Sequence, residues 1–112
     1  MLLPILFSAC TKNTEVKIEY LATGAISEYN LYYLNPQGEL ENITVNPESA
    51  MDKWQYSYVI EKGDIVYLSG KYNDPNSALT LMIKVNGKIY KQASNEGDTI
   101  KFLTVSGVAM GE

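Results

Sequence analysis

Leu79-Thr80-Leu81-Met82-Ile83-Lys84-Val85-Asn86-Gly87-Lys88-Ile89-Tyr90-Lys91-Gln92-Ala93 decides the fold class. Two alternating runs flank Asn86-Gly87. Both central residues of a type I′ turn need positive φ, which Asn and Gly adopt most readily. A two-residue loop would set Val85 opposite Lys88, Ile83 opposite Tyr90 and Leu81 opposite Gln92. Leu81, Ile83, Val85 and Tyr90 then share one face, assigned to the core. Met82, Lys84, Ile89 and Lys91 share the other. A one-residue slip would bury lysines, so the pattern predicts a firm register.

The same rhythm runs outward in both directions. Val16 to Ala22 alternates, with Val16, Ile18 and Tyr20 on one face. Tyr29 to Leu34 follows, closed by the turn residues Asn35-Pro36-Gln37-Gly38. Leu40 to Val45 is a short third strand, and residues 48–53 are a loop or one helical turn. Trp54 to Ile60 and Ile65 to Ser69 flank Lys62-Gly63-Asp64. The last run is Thr99 to Val108. No stretch carries a useful helical period. About seven to eight short strands in 112 residues predict a single all-β domain, an antiparallel β-sandwich or small barrel.

Composition narrows the function classes. Hydrophobic residues make up 46% and charged residues 20%, which suits a folded domain. All nine basic residues are lysine and the net charge is −4, which argues against nucleic-acid binding. There is no histidine, so the usual proton shuttle and commonest metal ligand are missing. No catalytic triad can be built without it; a Ser69–lysine dyad is the remaining route to a nucleophile. The Asp74 loop, with Asn73 and Asn76, offers oxygens to calcium but fits no EF-hand spacing. The expectation is a non-enzymatic protein without cofactor or metal.

The N-terminus supplies a location. Residues 1–7 are apolar, and Ser8-Ala9-Cys10 follows, with Cys10 the only cysteine. Such a run ending in a small residue and cysteine reads as a bacterial lipoprotein signal. Residues 1–9 would be the signal remnant, Cys10 the acylated first residue of a tether over 10–15, and 16–112 the domain. Two or more acyl chains anchor a protein where one does so only marginally. The expected location is the bacterial envelope, at the outer membrane or in the periplasm. The other reading of the run is a buried N-terminal strand carrying an inert cysteine.

Nine tyrosines and one tryptophan remain to be placed. Tyr32 and Tyr33 must face opposite ways on a strand, while Tyr56 and Tyr58 share a face with Trp54. The candidate binding residues are therefore Tyr29, Tyr32, Tyr33, Tyr56 and Tyr58. At least two of these rings are expected at the surface, beside a sheet edge that could accept a partner strand at Tyr29–Tyr33 or Trp54–Tyr58.

Three segments resemble a known family. They are Val16-Lys17-Ile18-Glu19-Tyr20 before Gly24-Ala25, then Trp54 with Lys62-Gly63-Asp64 leading into Tyr67-Leu68-Ser69, then Ile83-Lys84-Val85-Asn86-Gly87-Lys88. In order and spacing they resemble the small β-sandwich domain of the MmpS-type mycobacterial membrane proteins and of related short Bacteroidetes lipoproteins, over roughly residues 15–108. The resemblance implies an immunoglobulin-like sandwich outside the cytoplasmic membrane. It also implies an accessory role beside an envelope transporter, and it brings no catalytic residues. The mycobacterial members carry a transmembrane helix where this chain carries the lipoprotein-like run. A surface carbohydrate- or peptide-binding domain is the alternative function.

Overall fold

A computed structural model of the chain describes residues 14–97 and 102–110. Cys10, the signal and most of the tether lie outside the described residues, as does the start of the last strand at 99–101. The strands are β1 (Glu15–Thr23), β2 (Tyr29–Leu34), β3 (Leu40–Val45), β4 (Lys53–Glu61), β5 (Ile65–Tyr72), β6 (Ala78–Val85), β7 (Lys88–Glu96) and β8 (Phe102–Val108). They form two four-stranded antiparallel sheets, ordered β4-β1-β6-β7 and β3-β2-β5-β8. The fold is an all-β sandwich. Its first five strands pair as immunoglobulin strands B, C, C′, E and F do: β1 beside β4, and β2 between β3 and β5. Strand β6 then takes the free side of β1, where strand A would stand.

Alternation explains the layers. Val16, Ile18, Tyr20 and Ala22 of β1 are buried, as are Leu79, Leu81, Ile83 and Val85 of β6. Tyr29, Leu31 and Tyr33 of β2 and Val66, Leu68 and Tyr72 of β5 face them from the other sheet. The central strands thus supply most of the core. Strand β5 runs on through Gly70 to Tyr72 instead of closing at Ser69. Gly70 lies among Leu31, Leu79 and Leu81, and its missing side chain leaves room for the leucines. The 48–53 segment holds one tight turn, the Asp52 N–H donating to the Ser49 carbonyl, and no helix beyond it. It is a loop in which Asp52 Oδ2 accepts the Glu48 N–H and Ser49 Oγ accepts the Met51 N–H.

The hairpin is a type I′ turn in its backbone signs, with φ of 52° at Asn86 and 84° at Gly87. Val85 faces Lys88 as expected. The register beyond it is corrected by a bulge. Lys84 faces Ile89, Ile83 faces Lys91, and Leu81 faces Ala93, so Tyr90 is the extra residue. Strict alternation across the turn cannot foresee an inserted residue. Tyr90 still packs against the core, half-buried, and its hydroxyl accepts the Val108 N–H at 3.0 Å. It lies where a side chain at position 107 would be, and that residue is glycine. Gly87→Val should destabilise the domain by about 1 kcal/mol or more, because a β-branched residue resists positive φ. A thermal melt that matches the wild type would count against the turn assignment.

Candidate binding edge

The site is built on β4. Its even-numbered residues Trp54, Tyr56, Tyr58 and Ile60 face the interior, while Lys53, Gln55, Ser57, Val59 and Glu61 are exposed. Ile60 is buried; the three aromatic residues are half-buried because β4 ends its sheet. Their rings form a row: Trp54 and Tyr56 have centroids 6.3 Å apart and nearly parallel planes, and Tyr56 and Tyr58 are 5.5 Å apart. Tyr33 of β2 packs against Trp54 at 5.2 Å and Tyr56 at 5.0 Å. Tyr20 of β1 meets Tyr33, Tyr56 and Tyr58 from behind. Five rings therefore fill the side of the sandwich between β3 and β4. Tilted and edge-to-face pairs of this kind add roughly 0.5–1.5 kcal/mol each beyond their buried area.

The hydroxyls meet at the base of the row. Tyr20 Oη and Tyr58 Oη are 2.6 Å apart. The Leu34 carbonyl accepts from Tyr20 at 3.0 Å and lies 3.2 Å from Tyr58 Oη, and the Tyr67 N–H donates to Tyr20 Oη. Burial pushes the phenol of Tyr20 above its ordinary value. Burial, and then the hydrogen bond with Tyr20, does the same to Tyr58. Burial also raises Tyr33. All three phenols are neutral at physiological pH, and those of Tyr20 and Tyr58 act as hydrogen-bonding groups.

The five residues singled out in the sequence do not form one patch. Tyr33, Tyr56 and Tyr58 come together. Tyr29 is buried at the far end of β2, opposite Val45 and Tyr72, and burial followed by the charge of Asp52 pushes its phenol up to about 12. Tyr32 faces the other side of its sheet, half-buried, opposite Asn42 and Ser69. Tyr29 and Tyr33 are buried and Tyr32, Tyr56 and Tyr58 are half-buried, so the rings are only partly exposed where at least two were expected to be substantially so. The edge rings lean onto Tyr20 and Tyr33 and cover one another. Strand β2 is also corrected as an acceptor edge, because β3 and β5 pair with both of its sides. Strand β4 remains as the open one.

Sequence reading missed Tyr20 as the ring on which the others converge, although its place beside Val16 and Ile18 was visible. Beyond the hydroxyl cluster, a shallow groove of about 470 Å³ runs between the Asn35–Gly38 turn and Ile60, Asp64 and Ile65. Asn35 holds that turn, accepting the N–H groups of Gln37 and Glu39 and donating to Glu41. Ser69, the nucleophile of the conceivable dyad, is buried, and its hydroxyl is 3.5 Å from that of Thr104. Asp74 caps its own turn, accepting the Asn76 N–H. Among the described residues no three Cys, Asp or Glu side chains converge. The arrangement offers aromatic surface and a strand edge for binding. No protein-family model matches the chain, and no curated protein matches it.

Proposed function

We propose that this chain is a non-enzymatic, lipid-anchored protein of the bacterial envelope that serves as a binding or accessory module. Cys10 would carry the lipid, and the mouth of the sandwich along Trp54, Tyr56 and Tyr58 would meet the partner. The observation that carries the reading is the row of half-buried rings on an end strand of the sheet. Rings that are rigid and amphipathic make contact area at low entropic cost. The resemblance to MmpS-type domains favours an envelope transporter as the partner class.

Photo-crosslinking in the native membrane tests this. A photoreactive phenylalanine derivative at position 56 should yield adducts with another envelope protein, and one at position 89 on β7 should not. Adducts at neither position, or equally at both, would remove the mouth as a binding site. In the same strain Cys10→Ala should release the protein from the membrane fraction. Retention of that variant on the membrane would refute the lipid anchor.

A further inference from the structure

Among the described residues, two of the four sheet edges, β7 and β3, are guarded; β8 is plain but gives its Val108 N–H to Tyr90, and β4 is the longest plain edge. On β7 the Tyr90 bulge breaks the ladder, Lys88 and Lys91 add charge, and the Tyr90 hydroxyl engages the Val108 N–H of β8. Bulges and lysines are the usual protections of an edge. Strand β3 is six residues long, carries Glu41 and runs into Asn46-Pro47. Strand β4 carries charge only at its two ends, Lys53 and Glu61. It pairs with β1 through nine residues without a bulge, and Trp54 to Ile60 holds no charge and no proline.

The direction of its free backbone groups follows from one bond. The Lys62 N–H donates to the Thr14 carbonyl, in continuation of the β1–β4 register. Even-numbered residues of β4 therefore bond toward β1, since antiparallel partners alternate. Gln55, Ser57 and Val59 aim their N–H and C=O groups outward, along the end of the sheet. The Glu61 carbonyl is taken by the Asp64 N–H of the following turn.

We propose that a second copy of this chain pairs along β4, antiparallel, with Ser57 on the two-fold axis. The strand is self-complementary in that register. Ser57 faces Ser57, and Gln55 faces Val59, each pair exchanging backbone hydrogen bonds. Lys53 of each copy faces Glu61 of the other at the two ends. The charge match also relieves a conflict within one copy. Glu15 and Glu61 are direct neighbours on the exposed face of β1 and β4, and like charges so placed repel. Lys53 of the second copy lands on the free side of Glu61. On the inner face, Tyr56 meets Tyr58 and Trp54 meets Ile60, so the half-buried rings of two copies become one covered row. The interface is isologous, which closes at two copies rather than growing into a fibre. It does not depend on the lipid, and a second copy and an envelope partner would compete for the same β4 edge.

Sedimentation of the full chain across a concentration series tests it. The wild type should be a dimer. Lys53→Glu and Glu61→Lys each turn two attractive pairs into repulsive ones, and each should raise the dissociation constant roughly tenfold. Mixing these two variants should restore association. One variant then carries an acid at both ends of β4 and the other a lysine at both ends, so each end of the mixed pair is attractive. The double variant should dimerise with itself. Ser57→Pro removes an outward N–H without touching the β1 ladder, and should give a monomer with an unchanged β spectrum. A wild type that stays monomeric into the sub-millimolar range overturns the proposal. So does a dimer whose affinity ignores all three positions. Position-56 adducts that join only two copies of this chain, even in a variant that no longer dimerises in solution, would refute only the partner reading.

Discussion

Gly70→Val is expected to destabilise the domain by about 3 kcal/mol, measured by chemical denaturation. Gly70 stands inside β5, between Leu31 of β2 and Leu103 of β8. A Cβ there would come within 2.8 Å of Leu79 Cδ2 and 3.0 Å of Leu31 Cδ2. Both leucines are fully buried, so neither can turn out into water. Interiors packed like organic crystals have no slack for two further methyl groups. The backbone at Gly70 is ordinary extended strand, so the cost is steric. Gly70→Ala should cost less, because its smaller overlap is partly offset by about 0.4–1 kcal/mol of reduced chain entropy. Leu79→Ala alone opens a cavity and should cost about 2–5 kcal/mol. Combined with Gly70→Val it should cost less than the sum of the two, since the new methyls occupy the vacated space. Simple additivity would show that Leu79 does not fill the notch at Gly70.

That notch marks where the sequence was legible and where it was not. Alternation and turn residues place the eight strands within a few residues over the described chain, because period-two patterning and turns such as Asn86-Gly87 and Asn35-Pro36-Gln37-Gly38 act locally. Gly70 looks like a strand terminator on the same local logic. Its actual role, admitting leucines from two other strands, depends on sheet-to-sheet packing. The Tyr90 bulge is hidden for the same reason. Nothing in Lys88-Ile89-Tyr90-Lys91 announces an extra residue; what stabilises it is the contact with Gly107 and Val108 on another sheet.

The candidate site divides the same way. That Trp54, Tyr56 and Tyr58 share a face is a property of one strand, and it holds. Which strand is an edge is a property of topology. Tyr29 to Tyr33 and Trp54 to Tyr58 look alike in sequence, yet β2 is central and β4 terminal. Tyrosine count likewise misleads about exposure, since the rings of β2 and β4 bury one another against Tyr20.

Alkaline pH is expected to unfold the domain cooperatively between about pH 10 and 12. Tyr20, Tyr29 and Tyr58 all have folded-state values raised above the ordinary phenol, chiefly by burial. The native state therefore holds these protons more tightly than the unfolded chain does. Their contribution is fully present below about pH 10, where tyrosine is neutral in both states. Above that, each loses about 1.4 kcal/mol per pH unit until its folded-state value is passed. For Tyr29, buried and raised to about 12, the loss reaches about 2–3 kcal/mol. Small domains hold only about 5–15 kcal/mol in total, so a few such groups suffice. Between about pH 6 and 8 stability should be flat, because no histidine titrates there. Tyrosinate absorbance and circular dichroism, followed together, check this. Buried phenols should ionise only as the β signal collapses. Tyr58→Phe should lower stability at neutral pH by about 1 kcal/mol, through loss of its hydrogen bond, and move the alkaline midpoint upward. All nine tyrosines ionising near pH 10 with the β signal intact would contradict the burial of Tyr20 and Tyr29 on which the aromatic edge is built.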